Sequence, residues 1–324
     1  MTVRWGIAGP GAIATQFATG LSQIEGGHLV AVGSRSLERA AAFASRFGAP
    51  DTHGSYESLA ENPNVDVVYV ATPHSFHARD TLMFLEAGKH VLCEKPFAIN
   101  QVQARQMAKA ARDRGLFLME AMWSRFLPAY AILRDLLEEG VIGDPQVVEA
   151  DFGFRRSINP ESRLFDLAQG GGATLDVGIY PVQLCSMVLG TPERVVAAGR
   201  LGETGADEQV AAILAYSRGR LGVVKAAIRT EMACTARLSG TDGFVEFPKF
   251  MHNPRSMTVT SSHGSRQIDA TWEGEGLRFQ AVEVHRCLAE GLVESPIMPV
   301  DETIDIAGTL DRIREQIGLS YPGE

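Results

Sequence analysis

Residues 3–14 read Val-Arg-Trp-Gly-Ile-Ala-Gly-Pro-Gly-Ala-Ile-Ala, an apolar run that ends in a G-x-G-x-x-A pattern. A helical pattern follows at once. Strand, glycine turn and helix in this order are the context in which the pattern predicts dinucleotide binding. Gly9 would allow the tight turn, and Gly11 would let the backbone approach a pyrophosphate. Ala12 and Ile13 open the helix, whose free N–H groups are expected to face the phosphates.

The end of the second apolar run bears on the choice of dinucleotide. His28–Val32 is followed by Gly33 and then by Ser34, Arg35 and, one helical turn on, Arg39. An acidic residue at this place would bind the ribose of NAD, and none is present. A hydroxyl and two guanidinium groups suit a 2′-phosphate, so the sequence favours NADP over NAD. The alternative is an arginine at a solvated helix start.

Composition restricts the class of protein. The chain has 324 residues, of which 45% are hydrophobic and 21% charged, and a formal net charge of −9 without a basic run. This favours a globular protein with two domains, and it argues against nucleic acid or a membrane as a partner. The first residues lack the layout of a signal peptide. The scattered cysteines predict reduced thiols in a cytoplasmic protein: Cys93, Cys185, Cys234 and Cys287.

Hydrophobic patterning predicts two domains. Up to residue 122, apolar strands alternate with helices, which is typical of a doubly wound parallel sheet of the Rossmann type. From residue 123 to 324 we expect an α+β domain for substrate binding and oligomerisation, with a helix over 173–189 followed by β-rich runs. Those runs predict a large, mostly antiparallel, open sheet. A sheet with an uncovered face predicts a homodimer or a homotetramer.

Three further motifs bring a known family into view. They are Ala71-Thr72-Pro73-His74 with His77, then Glu94-Lys95-Pro96, then Gly-Gly-Gly-Ala-Thr-Leu-Asp-Val-Gly-Ile-Tyr at 170–180. With the N-terminal glycine motif, they resemble the Gfo/Idh/MocA oxidoreductases, the family of glucose–fructose oxidoreductase and inositol dehydrogenase. The resemblance covers essentially the whole chain. Residues 119–125, together with Arg35 and Arg39, look most like the branch of dihydrodiol dehydrogenase and NADP-dependent D-xylose 1-dehydrogenase.

The catalytic prediction rests on Lys95, Asp176 and Tyr180. An ammonium group at the carboxyl end of a strand points into the crevice where ligands bind in such sheets, although an isolated Lys-Pro is usually a surface turn. Asp176 and Tyr180 are four residues apart on a predicted helix and would share one face. A core tyrosine above a solvated aspartate is the alternative. The resemblance implies that the three residues form the active site, and that the bond before Pro96 is cis.

The resemblance also implies which residues bind the cofactor. It assigns the loop Ala71, Thr72, Pro73, His74 and His77 to the nucleotide, and extends the contacts to Glu94, Lys95, Trp123 and Arg125. The spacing of His74 and His77 could also suggest a metal, but a third ligand in register is missing, so we predict no metal. Phe154, Arg155 and Arg163 are candidates for the substrate pocket.

These features predict an NADP-dependent oxidoreductase that moves a hydride between a CH–OH group of a sugar or cyclic diol and the nicotinamide. The expected partner is a small polyol or sugar. Two alternatives stay open: a reductase of a ketosugar or dicarbonyl, and a non-catalytic protein that senses NAD(P). The presence of Lys95, Asp176 and Tyr180 together favours the enzyme.

Overall fold

The computed structural model describes residues 2–324, which form two compact units. Unit 1 comprises residues 2–98, Val102–Phe126 and Glu273–Thr303, and unit 2 comprises Ile99–Gln101, Leu127–Trp272 and Ile304–Glu324. The predicted boundary at residue 122 lies near the observed crossing, but the second unit is not one continuous segment. Residues 273–303 return to unit 1 because their helix packs on its first helix, and the Trp5 indole N–H donates to the His285 ring at 3.0 Å.

Unit 1 is built on a parallel sheet of six strands in the order β3-β2-β1-β4-β5-β6, which confirms the predicted Rossmann sheet. The strands are β1 (Val3–Ala8), β2 (Gly27–Gly33), β3 (Asp51–His53), β4 (Val67–Val70), β5 (His90–Glu94) and β6 (Leu118–Ala121). The helices are α1 (Ala12–Leu21), α2 (Leu37–Phe47), α3 (Tyr56–Ala60), α4 (His77–Glu86), α5 (Gln101–Arg114) and, near the C-terminus, α8 (Arg278–Ala289). The strand order reverses between β1 and β4, and ligands of such sheets bind at this point.

Unit 2 contains an eight-stranded sheet in the order β14-β13-β12-β11-β7-β10-β9-β8, in which only β7 and β10 pair in parallel. The predicted large, mostly antiparallel sheet is therefore confirmed. Its strands are β7 (Pro145–Gly153), β8 (Arg194–Leu201), β9 (Asp207–Ala215), β10 (Leu221–Ala227), β11 (Ala236–Gly240), β12 (Gly243–Phe247), β13 (Ser256–Ser261) and β14 (Gly264–Asp269). The remaining helices are α6 (Pro128–Glu138), α7 (Ile179–Leu189) and α9 (Val300–Ile317), the last of which begins in unit 1.

One face of this sheet is covered and the other is open. Helix α7 packs against β7 and β10. Along β9, Val210, Ala212 and Leu214 are buried while Ala211 and Ile213 are exposed, as expected for a strand covered on one side.

Helix α7 also lies within the stretch 167–189, which is apolar enough to span a membrane by length and composition. Because 83% of that window is buried inside the protein, it has the character of a core helix.

The helix predicted over 173–189 is not a single α-helix. Thr174–Gly178 forms a π-helical turn, and α7 begins only at Ile179. Pro181 has no N–H with which to bond a preceding carbonyl, so a continuous α-helix through this position would lose a hydrogen bond. The wider turn ends at Gly178, three residues before the proline, and such turns are frequent at functional sites. Asp176 lies inside this turn and Tyr180 in the first turn of α7.

Candidate active site

The turn between β1 and α1 has the features of a phosphate-binding loop. Gly9 has φ +91, and a Cβ there would lie 2.8 Å from the Ala71 carbonyl oxygen, so only glycine fits. Gly11 precedes α1 without a side-chain cap, and a Cβ on it would meet nothing within 4 Å. The first N–H groups of α1 therefore face open space. The Thr72 hydroxyl at the end of β4 is buried without a protein partner. A dinucleotide pyrophosphate fits this loop by charge and by space.

A group of arginines follows β2. Ser34 is only 4% exposed, and its hydroxyl accepts the Ser36 N–H rather than reaching the surface. Arg35 and Arg39 are exposed, as a phosphate site requires. Burial raises the pKa of the nearby Tyr56 phenol, and the charges of Arg35, Arg79 and Arg39 oppose that shift. Arg79, on α4, is a third arginine near this phenol, but its guanidinium group forms an ion pair with the Asp80 carboxylate at 2.7 Å.

Lys95 directly follows β5, on the same edge of the sheet as the glycine loop. The bond between Lys95 and Pro96 is cis, as the resemblance implied. Glu94, which is predicted to contact the cofactor, is buried and has protein partners. It is 4% exposed, and its carboxylate accepts the Tyr69 hydroxyl at 2.5 Å and the Lys95 N–H at 3.1 Å. The Glu94 carboxylate thus fixes the backbone at the start of the loop that carries Lys95, which we call the lysine loop.

The two histidines after β4 also differ from expectation. His77 is fully buried, with Nδ1 2.8 Å from the Pro96 carbonyl oxygen and Nε2 2.7 Å from the Thr72 carbonyl oxygen. Its ring therefore ties the ends of β4 and β5 together, and its nitrogens are not available to a nucleotide. His74 is 6% exposed and packs edge-on against His77. Within residues 2–324, no group of three or more His, Cys, Asp or Glu side chains is arranged to hold a metal ion.

Trp123 and Arg125, the two predicted cofactor contacts after β6, differ in their exposure. Trp123–Phe126 forms a 3₁₀ turn in which Trp123 stays partly exposed. Arg125, however, is 1% exposed and forms a two-pronged ion pair with Glu302, at 3.0 and 2.6 Å. The guanidinium group is therefore held by a partner within unit 1, and its contact with the cofactor stays a prediction.

Unit 2 holds the acidic residue of the predicted active site. Asp176 is 6% exposed, and its Oδ1 atom accepts a hydrogen bond from Arg163 at 3.1 Å. The π-helical turn that carries it is anchored at its start, where Asp207 accepts both the N–H and the hydroxyl of Thr174, at 2.7 and 2.6 Å. Gly172 has φ +124, and a Cβ on it would lie 2.0 Å from Asp207. Because Gly172 has no side chain, there is room for the buried Asp207 carboxylate that fixes the turn.

Tyr180 lies in an aromatic group within unit 2. Its ring centroid is 5.3 Å from that of Phe152 on β7 and 5.5 Å from that of His252. His252 in turn stacks on Phe152 at 4.0 Å. It belongs to the loop between β12 and β13, where Phe250 has φ +52, an unusual conformation for a residue other than glycine. Sequence analysis did not select His252 as a candidate site residue. The one feature of the sequence that marks it is a histidine in a turn between two strands.

The three candidates for the substrate pocket, Phe154, Arg155 and Arg163, have different contacts. Phe154 is 6.2 Å from Phe152 between ring centroids, and the Arg156 guanidinium lies over it at 5.4 Å. Arg155 is exposed and pairs with Arg229 through an isolated β-bridge. Arg163 contacts Asp176 itself. Of these candidates, Phe154 is linked to the tyrosine's aromatic group through Phe152, and Arg163 contacts Asp176.

A Rossmann unit with a phosphate loop and a strand-end lysine, followed by an open-sheet unit with a buried Asp–Tyr helix, defines a two-domain nucleotide-dependent oxidoreductase. Residues 3–122 match the family described as "Oxidoreductase family, NAD-binding Rossmann fold", and residues 130–246 match the "GFO/IDH/MocA C-terminal domain". The chain belongs to the Gfo/Idh/MocA oxidoreductase family, which confirms the resemblance.

Known relatives match over nearly the full length. The trans-1,2-dihydrobenzene-1,2-diol dehydrogenase of Mus musculus is 41% identical, with 99% of each chain covered. The Homo sapiens protein of the same name is 39% identical, again with 99% of each covered. Among solved structures, KijD10, a 3-ketoreductase of Actinomadura kijaniata in complex with NADP and TDP-benzene, is 26% identical with a TM-score of 0.88 and 98% of each chain covered. Levoglucosan dehydrogenase is alike in fold alone, at 22% identity, a TM-score of 0.89 and 98% of each chain covered.

Proposed function

We propose that the chain is an NADP-dependent dehydrogenase that transfers a hydride between a CH–OH carbon of a sugar or cyclic diol and the nicotinamide. The observation that carries the proposal is the placement of Lys95 on the same sheet edge as the Gly9–Gly11 loop. The name of the mouse relative supports a cyclic diol. Because the similar protein KijD10 is named a 3-ketoreductase, the activity should also be assayed in the direction of ketone reduction.

The arginines after β2 support NADP over NAD. The strand ends without a carboxylate that would bind a free ribose hydroxyl, and Arg35 and Arg39 bring positive charge to this place. Arginine suits phosphate because its guanidinium group forms forked, charge-assisted hydrogen bonds. The KijD10 structure with NADP is consistent with this choice.

The bound nicotinamide supplies the hydride acceptor, and the protein's side chains orient the substrate and move its proton. The Lys95 ammonium group donates to the reacting hydroxyl, and Tyr180 exchanges a proton with it. Asp176 accepts a hydrogen bond from a neighbouring hydroxyl of the substrate. Arg163 favours this role because its guanidinium group donates to the carboxylate at 3.1 Å and orients it. The immediate base is either Lys95 or Tyr180.

The test is a kinetic cycle on Lys95→Ala, Tyr180→Phe and the double variant, with sugars, cyclic diols and dicarbonyls as substrates. Each single change should lower kcat by roughly 10²–10⁴, and the double variant by much less than the product, because groups that handle one proton act as a unit. Tyr180→Phe should leave NADP affinity unchanged. Near-normal turnover by Lys95→Ala on the best substrate would overturn the mechanism and favour a non-catalytic sensor of the cofactor.

We further propose that the open face of the eight-stranded sheet joins two copies of the chain. Val196, Ile213 and Leu221 are 50%, 48% and 38% exposed on adjacent strands, with Val196 paired to Ile213. An apolar open face suits an isologous dimer because the same patch can pack against itself.

Light scattering should give a dimer or a dimer of dimers for the wild-type chain and a smaller species for Ile213→Asp. Val282→Asp, which changes an equally exposed valine on α8, is the matched control and should leave the assembly intact. A single 35.0 kDa species at micromolar concentration would contradict the proposal.

We place the enzyme in the cytoplasm. All four cysteines are buried as free thiols: Cys93, Cys185, Cys234 and Cys287. Reduced thiols fit a reducing compartment. A reporter fusion of the full chain that locates to another compartment would contradict this assignment.

A further inference from the structure

Two buried carboxylates hold the backbone of the lysine loop. Glu94 accepts the N–H of Lys95 at 3.1 Å, and Glu120 accepts the N–H of Phe97 at 2.9 Å. Both carboxylates are nearly inaccessible, with exposures of 4% and 1%. They come from neighbouring strands, since Glu94 ends β5 and Glu120 lies in β6. The lysine is therefore flanked on both sides by peptide groups that a buried charge holds in place.

Glu120 differs from Glu94 in how its two oxygens are used. Glu94 also accepts the Tyr69 hydroxyl. In Glu120, Oε1 accepts the Phe97 N–H, and Oε2 is buried without a partner of good hydrogen-bond geometry. A buried carboxylate with one well-formed hydrogen bond is poorly compensated for the loss of water. Its grip on the loop therefore depends on whether it is charged.

We propose that Glu120 is a positioning residue for Lys95, whose ionised carboxylate fixes the backbone at Phe97 and so holds the lysine side chain in its working orientation. The proposal rests on the proposed role of Lys95 in proton transfer. Glu120 itself touches neither substrate nor cofactor, because its side chain is enclosed within unit 1. The carboxylate acts through one peptide group.

The groups around Glu120 make its charge sensitive to pH. Burial raises the pKa of Glu120 to about 7, and the charge of Glu94 acts in the same direction. The Phe97 N–H, the Thr303 hydroxyl and the Arg125 guanidinium group favour the ionised form. The buried thiol of Cys93, which pairs with Glu120 across the sheet, has a pKa raised well above its usual value and stays neutral. Glu120 is thus a group whose charge changes near neutral pH.

The first experiment compares the pH dependence of kcat for the wild type and Glu120→Gln. The glutamine keeps the shape and an acceptor oxygen but is neutral at every pH. A charge-assisted hydrogen bond is roughly twice as strong as a neutral one, so we expect kcat of the variant to be about tenfold lower at pH 8. Near pH 6, where Glu120 of the wild type is protonated, the two should converge to within about twofold. NADP affinity should be unchanged.

The second measurement reads the lysine without catalysis. Modification of Lys95 by trinitrobenzenesulfonate, quantified by peptide mass spectrometry with exposed Lys109 as internal reference, should change severalfold in Glu120→Gln at pH 8 and not at pH 6. Glu283→Gln removes another buried carboxylate of unit 1 and is the matched control, with wild-type pH dependence and wild-type labelling of Lys95.

A constant ratio of kcat between wild type and Glu120→Gln at every pH would overturn the proposal, because it would indicate a structural defect. Unchanged Lys95 labelling would overturn it as well. If Lys95→Ala retains turnover, the proposed function fails, whereas the labelling result still decides the positioning role. Should Glu120→Gln not fold, Thr303→Val removes the hydroxyl that favours the ionised carboxylate. It should shift the midpoint of the pH profile upward, and an unmoved midpoint would contradict the proposal.

Discussion

Replacing Glu120 by glutamine should alter how the stability of the protein depends on pH. Burial raises the pKa of Glu120 from 4.5 to about 7. Between these values the folded protein keeps a proton that the unfolded chain has lost, so the free energy of unfolding falls as pH rises. At about 1.4 kcal/mol per pH unit, the wild type loses about 2 to 3 kcal/mol between about pH 5 and pH 8. Glu120→Gln stays neutral and should not show this loss.

Urea denaturation at several pH values between 5 and 8, followed by circular dichroism, measures the effect. The free energy of unfolding of Glu120→Gln minus that of the wild type should grow by about 2 to 3 kcal/mol across this range. A fixed cost of the amide cancels, because only the change with pH is compared.

Glu283→Gln is the control for this measurement. Burial alone would raise the pKa of Glu283, but hydrogen bonds from Arg286, Ser295 and Cys287 lower it below its usual value. The stabilisation by this carboxylate is present above the unfolded pKa and is lost only as pH falls through the lower, folded value. The control variant should therefore differ from the wild type by a constant amount between pH 5 and 8. A constant difference for Glu120→Gln too would refute the reasoning.

Two further changes test the cofactor site and the anchoring of the π-helical turn. Arg35→Asp should weaken NADP binding by about 2 to 5 kcal/mol and NAD binding much less, because it removes charge-assisted hydrogen bonds to a 2′-phosphate; tighter NAD than NADP binding by the wild type, measured by titration, would contradict this. Asp207→Ala leaves the N–H and hydroxyl of Thr174 without their acceptor and should cost about 2 to 4 kcal/mol in urea denaturation. Since Asp207 belongs to unit 2, the variant should lose kcat while keeping its NADP affinity, and a loss of both together would argue against a local effect.

The fold could be predicted from the sequence because its signals are local and repeated. The glycine turn after β1 and the alternation of apolar strands with helices indicate a Rossmann sheet by themselves. Two strands were missed for physical reasons. The strand Asp51–His53 is only three residues long, and Gly264–Asp269 is a polar edge strand with no apolar alternation. The return of residues 273–303 to unit 1 depends on packing between distant segments, which no local pattern reports.

The helix of the substrate unit shows a different limit. Four-residue spacing of Asp176 and Tyr180 predicts one face of an α-helix, but the chain passes through a π-helical turn before the tyrosine. The proline at 181 was visible in the sequence, and its effect on the preceding turn was not. That turn is anchored by Asp207, more than thirty residues away, which accepts hydrogen bonds from its first residue. Local periodicity cannot include such a long-range anchor.

Sequence analysis does not tell which of the polar residues at the strand ends contact a ligand and which hold the protein's own backbone. His77, Glu94 and Arg125 are predicted to contact the cofactor, and in the structure all three side chains are buried. An ionisable side chain at a strand end can be satisfied by a ligand or by the backbone of the next loop, and burial decides which. His77 spans two carbonyls, Glu94 holds the Lys95 N–H, and Arg125 meets Glu302 from a distant part of the chain. The residues predicted to bind the cofactor thus divide into those that can contact it and those that hold the contacting loops in place, and this division is a property of three-dimensional packing.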